Sequence, residues 1–370
     1  MSLITEIETA RQKIITDDYP MSLGELTNIF KENELKIAPS FQRLFRWSNA
    51  QKSAFFESLL IGIPIPPIFV FELDDGTWEL IDGLQRTSTL MEFQGLLCDD
   101  DGNLLPPSVL SSTEYLPSLK GCVWDHELAN DFTEDQDMGS ELRIAIKRAK
   151  IGIQILKKGS EERSKYDLFQ RLNGNGSLLS PQEFRTCVMV MLNEDKYNQC
   201  NTTANDAKLL ELLSLSPKKL DKQENLDFVC RFLAHYTSDI PKQYDVDEFI
   251  THEVKELFIN NSQVKEFLQV CVDTAEFLHD EVDSNALRRY DGSQFSGRVG
   301  KVGFECIFMG VAKNMEAIKK LTIPKQFIMD KILSVWTGEL VEKVLGASMN
   351  GNTRISQTIP FGRNHFNPHK

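Results

Sequence analysis

A chain of 370 residues is large for one hydrophobic core, so two subdomains are the default. Its composition is that of an ordinary globular protein, and no apolar run approaches the roughly 18 residues that a membrane helix needs. The formal net charge of −13 opposes broad, unspecific binding to nucleic acid, which needs positive surface to release counterions, but it leaves room for a local basic groove.

The N-terminal Met-Ser-Leu-Ile-Thr-Glu has neither a basic start nor an apolar signal core, so secretion is not expected. Cys98, Cys122, Cys187, Cys200, Cys230, Cys271 and Cys306 include no Cys-x-x-Cys pair. Reduced thiols in the cytoplasm fit this better than a zinc site or a disulfide framework.

Ser22 and Glu25 form a capping-box pattern, which predicts a helix through Phe30. Residues 35–38 alternate as a short strand ended by Pro39. From Phe41 to Trp47, bulky apolar residues alternate with Gln42, Arg43 and Arg46. The apolar members would pin the segment while the polar ones project into a site, or the arginines make ordinary surface salt bridges. Ser48 caps a helix over 49–61 that Gly62 ends and Pro64 stops. Strands over 68–73 and 77–81 flank the hairpin turn Asp74-Asp75-Gly76.

That hairpin delivers Asp82-Gly83, a turn signal because glycine takes positive φ without steric cost. A helix over 85–94 follows. Its first amides lack internal partners and its start is electropositive, so with Arg86 at the mouth it makes an anion or phosphate cradle. Asp82 would orient a hydroxyl, a water or a metal ion. The plainer alternative is a capped turn with a surface salt bridge.

Asp99 to Asn103 forms another hairpin tip without the spaced ligands of an EF-hand. Residues 104–140 read as an irregular, acidic insertion over the site. A helix over 141–148 leads into a strand over 150–156 with Ile151, Ile153 and Ile155 on one face, then a helix over 160–172. Asn173 to Ser177 is a polar turn whose Gly174 and Gly176 either admit a ligand or merely connect. Ser180, Pro181 and Glu183 start the next helix, with Arg185 in its second turn.

Beyond about residue 192 the texture becomes helical, with periodic apolar runs at 209–215, 226–236, 246–258, 264–278 and 304–318. Residues 201–206 and 216–224 read as polar connectors. Between two of the runs, residues 287–301 mix Arg288, Arg289, Arg298 and Lys301 with Gly, Tyr and Phe, so this loop either contacts phosphates or is simply basic and exposed. Residues 350–370 read as an exposed polar tail, with His365 and His369 a weak metal signal. No Walker-type loop or HNH-type nuclease constellation is evident.

Four blocks in order, 37–47, 55–70, 78–90 and 168–185, resemble the domains that form the N-terminal half of GmrSD-type modification-dependent restriction enzymes. That family is related to the ParB/sulfiredoxin-like nucleotide-binding fold and carries an Asp-Gly-Gln-Gln-Arg signature. Leu84 stands here where the commonest signature has its first Gln, so Asp82, Gly83, Gln85 and Arg86 are the transferable residues. The expected fold is an α/β (α+β) ParB/sulfiredoxin-like domain over 1–192, then an all-α domain over 193–370.

The resemblance implies a nucleoside triphosphate as ligand or substrate. Asp82, Gln85, Arg86 and Arg46 would be catalytic. Gln42, Arg43, Gly83, Leu84, Arg86 and Thr87 would bind the nucleotide, Arg171, Asn173 and Arg185 would be accessory, and Asp82 would hold Mg²⁺. The implied function is a nucleotide-binding sensor, or an NTPase, of an anti-phage restriction system acting with a separate effector nuclease. The alternatives are a non-catalytic sensor of modified or foreign DNA and a stand-alone ParB-like nuclease.

Overall fold

The computed structural model describes residues 2–11, 14–37, 47–99, 102–128, 136–160, 165, 168, 169, 171, 180–241, 244–260, 262–338 and 350–369. Contacts divide the chain into two compact units, Met1–Leu178 and Leu179–Lys370. The change of texture read from the sequence falls one helix later, at 192.

The first unit runs α1 (Leu3–Arg11), β1 (Thr16–Ser22), α2 (Leu23–Lys31), β2 (Leu35–Lys36), α3 (Asn49–Ile61), β3 (Ile68–Glu72), β4 (Trp78–Asp82), α4 (Leu84–Phe93), α5 (Ser140–Arg148) and β5 (Lys150–Leu156). The strands form a mixed sheet in the order β1-β5-β3-β4-β2. β1 is antiparallel to β5, and β3 is antiparallel to β4. The β3–β5 and β2–β4 pairings are parallel.

Local chemistry explains most of these bounds. Ser22 Oγ accepts from the Glu25 amide at 3.1 Å and starts α2. Ser48 and Gln51 close a full capping box on α3, and Gly62 ends it in the left-handed region. On β5, Ile151, Ile153 and Ile155 are buried, as their alternation predicts. Strand β1 was not foreseen, because its Thr-Asp-Asp-Tyr-Pro-Met-Ser sequence carries a proline. It lies at the sheet edge, where a missing N–H is tolerated.

The core beside the sheet is aromatic: Phe56 lies 4.3 Å from Phe93, which lies 5.8 Å from Trp124. Trp124 belongs to the irregular 104–140 segment. That segment is anchored on α3, where Glu57 accepts the Tyr115 and Leu116 amides at 2.8 and 3.1 Å.

The second unit begins with α6 (Pro181–Leu192), α7 (Glu194–Ala204), α8 (Ala207–Leu213), α9 (Pro217–Leu220), α10 (Glu224–Thr237), α11 (Val246–Asn260) and α12 (Val264–Glu281). A ribbon of β6 (Arg289–Tyr290) and β7 (Phe295–Ser296) follows, then α13 (Lys301–Gly303), a π-helical turn (Phe304–Phe308), α14 (Met309–Ile318), α15 (Pro324–Thr337) and α16 (Gly351–His365).

Two sequence expectations are corrected here. The presumed connector 201–206 is helical through Ala204, because Asn193 caps α7 and Tyr197, Cys200 and Ala204 fall on its buried face. The presumed exposed tail forms α16. Ile355, Thr358, Ile359 and Gly362 are buried on it, and His365 stacks 4.9 Å from Phe361 and hydrogen-bonds Ser334 Oγ at 2.9 Å. A Cβ at Gly310 would sit 2.6 Å from the Gly362 carbonyl oxygen, so glycine is what lets α14 and α16 touch backbone to backbone.

Candidate functional site

The site starts with an irregularity in the β3–β4 hairpin. Phe69 pairs with Asp82 but Val70 pairs with Leu80, which leaves Ile81 as an extra residue in the ladder. The bulge breaks the alternation of faces, so Leu80 and Ile81 are buried in succession and Asp82 emerges partly exposed. Bulges of this kind re-aim a side chain at the end of a pairing.

Gly83 then turns the chain with φ of 103°. A Cβ at this position would meet Ile68 Cβ at 2.9 Å and Arg86 Nη2 at 3.3 Å, so both conformation and space demand glycine. No side chain caps α4, whose first internal backbone bond runs from the Thr87 amide to the Gly83 carbonyl. The amides ahead of that bond lie at the electropositive end of the helix.

Arg86 Nη2 donates to Asp82 Oδ2 at 2.9 Å across this turn. Their side chains are 14% and 30% exposed, so the guanidinium is held near the surface rather than free to swing. Its Nε is buried and has no hydrogen-bond partner among the described residues. The same holds for the hydroxyls of Thr87, Ser88 and Thr89, all buried in the first turns of α4. A polar group buried unpaired costs about 1–3 kcal/mol. Sequence reasoning named Thr87 but passed over Ser88, Thr89 and the bulge, although three consecutive hydroxyl residues after an Asp-Gly turn are visible as a pattern.

Gln85 Oε1 accepts the Trp47 amide at 3.1 Å. Gln42, Arg43 and Arg46 lie outside the described residues, and so does Asn173. The Gln85 contact nevertheless ties the residue that follows Arg46 to the Asp82 turn. Leu84 is the half-buried first residue of α4, and Arg171 is exposed.

Arg185 belongs to the second unit and is fully buried there. It donates to Asp227 at 2.9 Å and Asp247 at 3.3 Å, while Arg231 holds the same two carboxylates at 2.6 and 3.2 Å. Burial opposes the charge on Asp227, but Arg231 and Arg185 outweigh it and hold the carboxyl below its usual range. This four-membered ion cluster joins α6, α10 and α11, which accounts for Arg185 structurally.

For a cation, the Asp82 turn offers the carboxylate oxygen that Arg86 does not take, which suits an ion completing its shell with phosphates and waters. A second grouping of ligand types lies elsewhere in this unit, where atoms of Asp125, His126 and Asp137 approach within 4.8 Å of one another. Arg143 already occupies it, pairing with Asp125 at 2.8 Å, and His126 Nδ1 bonds Asp137 at 2.9 Å. That hydrogen bond raises the His126 imidazole above its ordinary range and, seen from the other side, holds Asp137 down to about 2.

Comparison with protein families matches residues 26–190 to the GmrSD restriction endonuclease, N-terminal domain. The match spans the hairpin, the Gly83 turn and α4, and it bears out the resemblance read from the four sequence blocks. A comparison with curated proteins gives no match.

Proposed function

We propose, with residues 26–190 a GmrSD-type N-terminal domain, that the Gly83 turn binds the phosphates of a nucleoside triphosphate in a restriction system. One observation carries the reading: an uncapped helix start, forced open by a glycine at φ of 103°, with an arginine pinned beside it by Asp82. Amide donors and a guanidinium fork at one point suit a phosphate better than a single carboxylate. Gln85 accepts the Trp47 amide, and Arg43 and Arg46, just ahead of Trp47 in the sequence, would neutralise phosphate charge. Asp82 would hold Mg²⁺, which supplies charge neutralisation of the phosphates when bound. The ParB/sulfiredoxin-like relationship accords with a mixed sheet that delivers its ligand turn from a strand end. The domain would act as a sensor, and a separate nuclease effector would cut.

The test is binding of a fluorescent ATP analogue to the purified chain, paired with an assay of phosphate release. Arg86→Ala is expected to weaken binding at least tenfold, about 1.4 kcal/mol, with an unchanged circular dichroism spectrum. Equal affinity in the two proteins would remove the assigned site. Phosphate release that depends on Arg86 would make the domain an NTPase rather than a binder.

A further inference from the structure

The second unit holds a group of cations that the Asp82 turn leaves unused. Arg289, Arg298 and Lys301 line one cavity of about 330 Å³, together with Gly300, Val302, Trp336 and Arg354. Among the described residues no carboxylate lines it. Arg354 is compensated by Glu305, which accepts from its Nε at 3.0 Å and its Nη2 at 2.8 Å. Arg289, Arg298 and Lys301 make no ion pair among the described residues. Burial and the nearby Arg231 push the Lys301 ammonium down from its ordinary value, against the opposing pull of Asp227 and Asp247.

An independent observation lies in the same cavity. Trp336 is only 8% exposed, and its buried Nε1–H has no hydrogen-bond partner among the described residues. The indole nitrogen can only donate, so its missing partner is an acceptor.

The basic loop is held in shape before any ligand arrives. Asp291 accepts the Ser293 and Gln294 amides at 2.9 Å, and the Tyr290 ring lies 5.3 Å from Phe295. Arg288 is spent on Ser214 Oγ at 2.7 Å and the Gly297 carbonyl at 3.3 Å. Its neighbour Arg289 therefore stands on an ordered ribbon, and Arg298 follows two residues after its end.

We propose that this cavity is a second binding site, for a phosphate group, in which Arg289, Arg298 and Lys301 take the anionic oxygens and the Trp336 indole donates to another acceptor. Three cations that form no ion pair among the described residues, beside one donor, match an ion with multiple charged oxygens, and guanidinium forks suit phosphate geometry. The phosphate could belong to a free nucleotide or to a DNA strand.

The experiment uses the full chain carrying Arg86→Ala, which weakens the Asp82 turn, and every second-unit substitution is read against that background. Calorimetric titrations with inorganic pyrophosphate, ATP and a 5′-phosphorylated DNA duplex are compared. At least one is expected to bind at a single site. Adding Arg298→Ala with Lys301→Ala should weaken it at least tenfold, and adding Trp336→Phe, which keeps an aromatic ring and removes the N–H donor, should weaken it severalfold with the circular dichroism spectrum unchanged. Preference for ATP over the duplex names a nucleotide as the source, and the reverse names DNA. No binding by any of the three probes, or binding indifferent to both sets of substitutions, overturns the proposal whatever happens at Arg86.

Discussion

Gly83 shows how one residue can be fixed by two constraints at once. Its φ of 103° lies where side chains are strained, and the space beside it is already filled by Ile68. Gly83→Ala is therefore expected to destabilise the chain by about 1–3 kcal/mol in urea denaturation. A loss below that range would mean that the turn relaxes freely and is not a rigid cradle. The His126–Asp137 pair makes a prediction about pH. The imidazole is raised in the folded state, so its contribution is fully present below its ordinary value of 6.5 and fades as pH rises through the raised value. Asp137 is depressed to about 2, so its contribution holds above its ordinary 3.8 and fades as pH falls toward about 2. The stability gap between the natural chain and His126→Asn should thus be wide near about pH 5 and narrow near about pH 9. A gap that does not change with pH would contradict the ion pair.

Elements that carry their own punctuation were legible in the sequence. Ser22, Ser48 and Ser180 each accept the amide three residues on, as their patterns predicted, and the β3–β4 hairpin and the Gly83 turn lie where turn chemistry put them. What escaped depends on distant partners. Strand β1 exists because β5 pairs with it, and its own residues do not favour a strand. Helix α16 looks polar because its closest contact is made by glycine, which contributes no hydrophobic signal. The Ile81 bulge is a property of register, and register belongs to two strands together. Arg185 was read as a ligand-facing residue, yet a lone arginine in an apolar helix gives no sign of the two aspartates that await it from α10 and α11. Removing it would leave Asp227 and Asp247 to Arg231 alone and take charge-assisted hydrogen bonds from a buried site, so Arg185→Ala should cost about 1.5–3 kcal/mol in thermal or urea denaturation. Exposed Arg171 replaced by Ala should change stability by less than about 0.5 kcal/mol. Equal costs would mean that the ion cluster does not hold the helices.

At the scale of the whole molecule, the proposed division of labour between this chain and a nuclease can be tested in cells. Expressed with its genomic neighbours, the chain is expected to protect against phage, and Arg86→Ala should abolish that protection. Full protection by this chain alone, indifferent to Arg86, would remove both partner and site. Protection by it alone that still needs Arg86 would move the cutting activity into this chain.

The strand order also sets a timetable. Within the five-stranded sheet, β3 and β4 are joined by a short turn, whereas Thr16 must find Leu156, and Ile68 must find Ile153, across long stretches of chain. Closing long loops costs entropy before any contact repays it, so the hairpin should form first and β1, which pairs with β5, should wait for β5. As the chain leaves the ribosome, the Asp82 turn would then take shape while β1 is still an unpaired strand, open to other chains. In pulse-labelled hydrogen exchange during refolding, β3 and β4 amides should gain protection before those of β1. If β1 is protected as early, the sheet assembles in a single step, and the site has no head start over the scaffold that carries it.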